Sequence, residues 1–294
     1  MPLPEVSAEA FAHAVERLAL HRDRPVVVKL GGSAMEDPAA TDACLRSVAV
    51  LHRLGVPLVL VHGGGKPIDR AMADAGLVPK KVAGRRYTDA ATLDIVVRVL
   101  FEINEDLARR LSDFGASAYG MSDVDPFPLT GTVLRLVDAN GKAIDLGRVG
   151  TITSVDKEWL AAWQLAGGKD VPIIPSLAVD DAREGKCLNI NADTAASAVA
   201  GSIGAEKAIF LSDIPGVLRD RKNPASLIPK LTETECRSLI AEGVIEGGMV
   251  PKVEACFEAL AAGAKSAFIL DGREPFSLLR VFLHDSFPGT EITQ

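Results

Sequence analysis

Val26-Val27-Val28-Lys29-Leu30-Gly31-Gly32-Ser33 is the stretch on which the fold turns: an apolar run the length of one buried strand ends on a cation and a glycine turn. Leu58-Val59-Leu60-Val61-His62-Gly63-Gly64-Gly65 repeats the layout, with a loop almost free of side chains. Glycines let backbone N–H groups approach an anion closely, and a following helix N-terminus adds partial positive charge. Two such loops point to a site that handles phosphate. The same glycines would also serve a tight strand-to-helix turn with no ligand.

Outward from these loops, short β-rich runs alternate with helical periodicity. The spacing predicts a helix over 6–20, with Val6, Phe11, Val15, Leu18 and Leu20 largely on one side, then a strand over 26–32, a helix from about 37 to 54 and a strand over 57–62. A long helix follows over 89–113. Val133, Leu134, Leu136 and Val137 lead into Asp138-Ala139-Asn140-Gly141 and then Ile144 and Leu146, which reads as a β-hairpin within 132–153. Beyond it come a helix near 156–166, a strand over 171–175, and a strand or hairpin arm at Cys187-Leu188-Asn189-Ile190. A second βα series has strands at 208–211 and 267–270 and helices to about 242 and over 249–262. Thr232 and Glu235 have capping-box spacing for the first of those helices. The expected class is α/β, a three-layer αβα sandwich whose mostly parallel central sheet is shared by two lobes with a boundary near residue 195.

Composition narrows the function. A chain of 294 residues, 48% hydrophobic and 24% charged, has the makings of a sizeable core. Its net charge of -7 disfavours nucleic acid and anionic lipid, so local cations must meet any polyanionic ligand. Cys44, Cys187, Cys236 and Cys256 form no C-x-x-C pair and no zinc spacing, and four unpaired thiols suit a reducing cytoplasm. No signal peptide and no membrane span are expected. Of five histidines only His62 adjoins a motif, and it reads as a packing or hydrogen-bonding residue rather than a base.

Open α/β sheets bind ligands beyond the carboxyl ends of their strands, which is where Lys29, the loop 62–65 and the segment 212–216 are expected to converge. The common nucleotide motifs, G-x-x-x-x-G-K-[ST], G-x-G-x-x-G and the protein-kinase set, are missing. Present in order are Lys29-Leu-Gly-Gly-Ser33, His62-Gly-Gly-Gly65, Gly84-Arg-Arg-Tyr-Thr-Asp89, Asn189-Ile-Asn-Ala-Asp193, Ser212-Asp-Ile-Pro-Gly-Val217 and Gly247-Gly-Met-Val-Pro-Lys252. This ordered set, over roughly residues 25 to 275, resembles the amino acid kinase superfamily and, within it, the acetylglutamate kinases.

The resemblance implies phosphorylation of the γ-carboxylate of N-acetyl-L-glutamate by MgATP, a step of arginine biosynthesis. It implies an N-terminal amphipathic helix over 1–24, an amino-acid-binding lobe over 25–195 and a nucleotide lobe over 196–294. Lys29 and Lys252 would flank the transferring phosphoryl group, and Asp193 would hold both lysines. An ionised carboxylate needs no base, so Asp193 has no proton to remove; its plainer alternative is to cap the helix that follows. Gly64 and Gly65 would donate N–H groups to reacting oxygens, Arg86 would clamp the non-reacting carboxylate, and Asn189 would bind the acetamido or carboxylate end. Arg85 stands where the family is usually apolar, so either guanidinium could face inward.

Gly31, Gly32, Ser212, Asp213, Gly216, Val217 and Leu218 resemble the nucleotide segments. Magnesium would ride mainly on the ATP phosphates, with no protein metal ligand assigned. The Asn140-Gly141 hairpin would be either a lid over the amino acid or a sheet edge. Lys66 adds a cation beside the glycine loop, to face an anion or solvent. Phe276, Val281 and Phe287 stand where arginine-inhibited members carry His, Glu and Gly, so a weak or altered arginine response is expected. The N-terminal helix is expected to support a homodimer or homohexamer. Two rival readings stay open: a kinase for N-succinylglutamate or an aminoadipate derivative, and a catalytically silent ligand sensor.

Overall fold

Strands covered on both faces read as unbroken apolar runs, and Val26–Leu30 and Leu58–His62 are buried at every position. The structure, a computed structural model, describes residues 7–121, 127–138, 140–182, 186–284 and 287–294, without the side chains of Ser33 and Leu165. Val6 of the N-terminal helix and Ala139 of the hairpin turn lie outside the described residues.

An eight-stranded sheet runs in the order Lys230–Thr232, Gly289–Thr293, Ala267–Asp271, Lys207–Ser212, Val26–Leu30, Leu58–His62, Val171–Pro175, Ala118–Gly120. Every neighbouring pair is parallel except Ala267–Asp271 with Gly289–Thr293. The chain leaves Val26–Leu30 to build one half of the sheet through Leu58–His62 and later returns to its other side with Lys207–Ser212. Strand order therefore reverses at Val26–Leu30, the place where open α/β sheets leave a crevice.

Because strand side chains alternate between faces, Val26, Val28 and Leu30 pack on one side against helices Pro38–Arg53, Ala90–Asp113 and Ser277–Leu283. Val27 points to the other side, where helices Ala192–Ser202 and Val250–Ala262 cover the sheet. These are the three expected layers. By parity Lys29 shares the face of Val27, toward those two helices.

Helix starts follow their caps. The side chains of Asp37, Asp89 and Asp156 accept backbone N–H groups at the first turns of Pro38–Arg53, Ala90–Asp113 and Lys157–Leu165. Thr232 and Glu235 form the expected capping box ahead of Glu233–Ala241. The first strand stops at Leu30, short of the expected 32, because Gly32 takes a left-handed φ of 62° and opens a 3-10 turn over Gly32–Met35.

The hairpin is present, as Leu129–Val133 paired antiparallel with Val149–Val155 and, beyond them, Leu136–Val137 with Ala143–Ile144. Asp138 braces its turn by accepting the N–H groups of Asn140 and Lys142. Its two long arms join Leu177–Asp180 and Cys187–Ile190 in a closed four-stranded barrel, so Cys187–Ile190 does not extend the main sheet. Among the described residues no helix is long and apolar enough to cross a membrane. All four cysteines are free, and burial pushes the Cys44 thiol up to about 12.

Candidate active site

Lys29 lies one residue before the end of its strand and is 8% exposed. Gly31 makes room for it: a Cβ there would lie 3.1 Å from both Cε and Nζ of Lys29, so a side chain would push the ammonium aside. That ammonium meets the Asp193 carboxylate, Nζ to Oδ1, at 2.8 Å.

Asp193 is free to do this because it is not the helix cap. Asn191 caps Ala192–Ser202, its Oδ1 accepting the N–H groups of Asp193 at 2.7 Å and Thr194 at 3.3 Å. Asp193 occupies the first turn, where the helix dipole favours negative charge. Burial by itself raises its carboxyl pKa, but the charge and hydrogen bond of Lys29 and the charge of Lys252 outweigh burial and hold it below the usual carboxylate range. Lys252, in the first turn of Val250–Ala262, is thus near enough for its field to reach Asp193.

Two cavities open here. The first, about 260 Å³, is lined by Lys29, Gly31, Gly32, the glycines 63–65, Arg85, Arg86, Asn189 and Asp193. The second, about 760 Å³, takes Asp213, Gly216, Val217, Leu218 and Lys252. Gly84 lines both, at the turn of a short hairpin that pairs Lys81–Val82 with Arg85–Arg86. Ala83 and Gly84 hold φ of 48° and 75° there, a left-handed pair suited to a two-residue hairpin turn. The Asn140-Gly141 hairpin reaches the first cavity only through Val149, at the base of its second arm, and the residues of its turn line neither cavity; the Lys81–Arg86 hairpin borders both instead.

Arg86 is fixed by an ion pair with Asp69 and by donation to the Gly65 carbonyl at 3.1 Å. Thr88, fully buried, ties the arginine segment to Asn189: its hydroxyl donates to the Arg86 carbonyl at 2.9 Å and accepts from Asn189 Nδ2 at 3.0 Å. Arg85 lines the first cavity beside Arg86, so both guanidinium-bearing residues are at hand. Ser212 does not border the second cavity. It is buried, and its hydroxyl donates to the Asp213 carboxylate at 3.1 Å. Lys66 pairs with Glu36 at the surface.

Sequence reasoning missed Lys81, Ser176 and Arg221 as lining residues. Ser176 directly follows the strand Val171–Pro175, and the strand-end rule that found Lys29 would have found it. Lys81 and Arg221 sit in segments with no periodicity to place them. Among the described residues no cluster of three His, Cys, Asp or Glu could hold a metal ion. Asp193, which lines the first cavity, is already committed to Lys29.

His62 is fully buried. Burial pushes its imidazole down to about 4, with the hydrogen bond to the Gly63 carbonyl opposing. The unfolded chain takes up a proton below the ordinary 6.5 and the native chain does not until about 4, so stability is intact above pH 6.5 and declines as pH falls through that window. The expected loss by pH 4 is up to ~3 kcal/mol. Urea unfolding at pH 7 and pH 5 checks this, and His62→Asn, which has no titrating group there, should show a smaller difference between the two.

The site, then, sets a glycine-lined, cation-bearing cavity beside a larger one, with Lys29 and Asp193 in the first, Lys252 in the second and Gly84 lining both. The sequence comparisons agree in extent with this construction. The model of the amino acid kinase family matches residues 24–271. Acetylglutamate kinase of Gluconacetobacter diazotrophicus is 40% identical over 290 residues, covering 97% of this chain and 90% of that protein. Acetylglutamate kinase of Synechococcus sp. (strain RCC307) is 40% identical over 294 residues, covering 99% and 96%, and that of Methanosphaera stadtmanae 38% over 278 residues, covering 92% of each. Among solved structures, N-acetylglutamate synthase from Neisseria gonorrhoeae complexed with coenzyme A and N-acetyl-glutamate aligns with a TM-score of 0.83 at 22% identity over 99% of this chain, which spans 64% of the synthase chain. Carbamate kinase from Giardia lamblia bound to AMP-PNP aligns at 0.64 and 16% identity, covering 92% and 98%. At such identities the structural likeness is one of fold.

Proposed function

The chain belongs to the amino acid kinase family, and on that premise we propose that it transfers the γ-phosphoryl group of ATP to the γ-carboxylate of N-acetyl-L-glutamate, giving an acyl phosphate and ADP for arginine biosynthesis. The observation that carries this reading is the Lys29–Asp193 pair at 2.8 Å, lining the first cavity and within the field of Lys252, which lines the second. Phosphoryl transfer between two anions is limited by charge repulsion and by alignment of attacking and leaving oxygens. A cation on each side of the phosphoryl group answers the first, and cavities meeting at Gly84 answer the second.

In this reading the amino acid occupies the smaller cavity, within the lobe 25–195, and the nucleotide the larger, against the lobe 196–294. Lys29 stabilises the equatorial oxygens and Lys252 the leaving side. Asp193 touches neither substrate and acts by fixing both ammonium groups. Gly31 and Gly32, beside Lys29, would face phosphate oxygens, while Asp213, Gly216, Val217 and Leu218 would border the nucleoside. With no carboxylate cage among the described residues, magnesium would be carried by the nucleotide phosphates and water.

Arg86 would hold the non-reacting carboxylate. Losing a charge-assisted hydrogen bond costs ~1.5–3 kcal/mol, so Arg86→Ala is expected to raise KM for the amino acid about 10- to 100-fold with a smaller change in kcat. Arg85→Ala should do less, and the opposite ranking would make Arg85 the clamp. The function itself is tested by ATP-dependent hydroxamate formation across N-acetylglutamate, N-succinylglutamate, N-acetylaminoadipate, glutamate and aspartate. N-acetylglutamate should give the highest kcat/KM. A higher value with another acylated acid would reassign the substrate, and ligand binding without ADP formation would make the chain a sensor.

A further inference from the structure

Asn104, on the long helix Ala90–Asp113, is fully buried, as is His62. Its Nδ2 lies 2.8 Å from the Ile173 carbonyl and 3.0 Å from His62 Nε2. A carbonyl only accepts, so the amide nitrogen must face Ile173, and its second hydrogen then faces the ring. Nε2 is therefore the bare nitrogen, and the single ring proton of neutral His62 sits on Nδ1. Nδ1 lies 3.1 Å from the Gly63 carbonyl and donates to it.

The Gly63–Gly64 peptide is trans, so its N–H points opposite to its C=O. With the carbonyl drawn to the buried ring, the Gly64 N–H is turned away from His62, toward the cavity that Gly63, Gly64 and Gly65 line. We propose that His62 and Asn104 form a positioning relay, in which the asparagine fixes the histidine tautomer and the histidine fixes the peptide plane that presents the Gly64 N–H to the reacting oxygen. No proton moves. The relay explains why a polar pair sits in the centre of an apolar core, behind a glycine loop rather than in it. The low pKa of His62 keeps the ring in the form the relay needs.

The inference rests on the carboxyl-kinase reading, and two substitutions test it. Asparagine reproduces the Nδ1 donor of histidine but does not reach Asn104, whereas glutamine reproduces the Nε2 end and leaves the Gly63 carbonyl without a donor. His62→Asn should retain the greater part of kcat, and His62→Gln should lose at least about 10-fold in kcat with KM little changed, since misdirecting one transition-state donor weakens the chemical step. A packing role alone ranks them the other way, because glutamine fills more of the space. Equal or reversed ranking in an active enzyme overturns the relay and leaves the function standing; an unsubstituted chain inactive on every acylated acid overturns both. The ring tautomer is read independently from 15N NMR of the unsubstituted protein. Nδ1-protonated, neutral His62 at pH 7 is the expected result, and an Nε2-protonated ring overturns the relay even if neither variant folds.

Discussion

Lys29→Met is expected to lower kcat about 100- to 1,000-fold while leaving KM for both substrates within a few-fold, which corresponds to the ~3–4 kcal/mol lost with one preorganised transition-state contact. Charge builds on the equatorial oxygens only as the phosphoryl group leaves ATP, so an ammonium aimed at them matters in the transition state more than in the ground state. The same substitution strands Asp193. Its carboxylate is held below the usual range against burial by Lys29 first and Lys252 second, so losing Lys29 should raise its pKa. Lys29→Arg tests charge against shape, because the ammonium lies so close to the Gly31 backbone that even a Cβ there would be 3.1 Å from Nζ, and the broader guanidinium must find room in the same place. Arginine should recover little. Circular dichroism and thermal unfolding separate a lost contact from a lost fold.

Asp193→Asn is the second large effect. The substrate carboxylate is already ionised near neutrality, so Asp193 has no proton to accept, and it contributes by holding Lys29 at 2.8 Å. An amide of the same shape keeps the packing and loses the charge. The expected fall in kcat is on the order of 100-fold, since lysines no longer fixed spend less time aligned. The pH–rate profile distinguishes positioning from base catalysis. The variant should keep the acid limb of the unsubstituted enzyme, whereas a limb that disappears with Asp193 would make it a base. Groups that act as a unit are non-additive. The double variant Lys29→Met/Asp193→Asn should therefore be little slower than Lys29→Met alone.

Much of this architecture was written locally. Short apolar runs at 26–28, 58–61, 208–211 and 267–270, each bounded by turn residues or a charge, read as strands buried on both faces, and all four are central in the sheet. The capping-box spacing of Thr232 and Glu235 made one helix start legible because a cap is a local interaction with its own first turn. The barrel escaped notice because Val179 meets Thr130 with several strands and a helix between them in the chain, and neither residue advertises the other. Helix Gly65–Asp74 was hidden by Gly65 and Pro67 at its start, which read as loop but are compatible with a first turn.

The site was legible in part, and for a similar reason. Lys29 and the glycine loops announce themselves at strand ends, and Asp193 and Lys252 emerged from ordered motifs rather than from any periodicity. Asp193 had a second plausible role as the helix cap until Asn191 was seen to hold it. The Lys81–Arg86 hairpin, with its left-handed Ala83, was not foreseen, since alanine gives no sign of a turn that glycine or asparagine would mark. Nor could the sequence pair His62 with Asn104, which are far apart in the chain and joined only when the long helix lies over the glycine loop.

The central claim is that the carboxylate oxygen attacks phosphorus directly, and isotope transfer tests it. N-acetyl-L-glutamate labelled with 18O in its γ-carboxylate is turned over with unlabelled ATP in the presence of hydroxylamine, which takes the acyl carbon and releases the bridging oxygen with phosphate. Each turnover should leave one 18O atom in the inorganic phosphate, in step with hydroxamate and ADP. Phosphate released without label, at the rate ADP forms, would mean transfer to water and contradict the account.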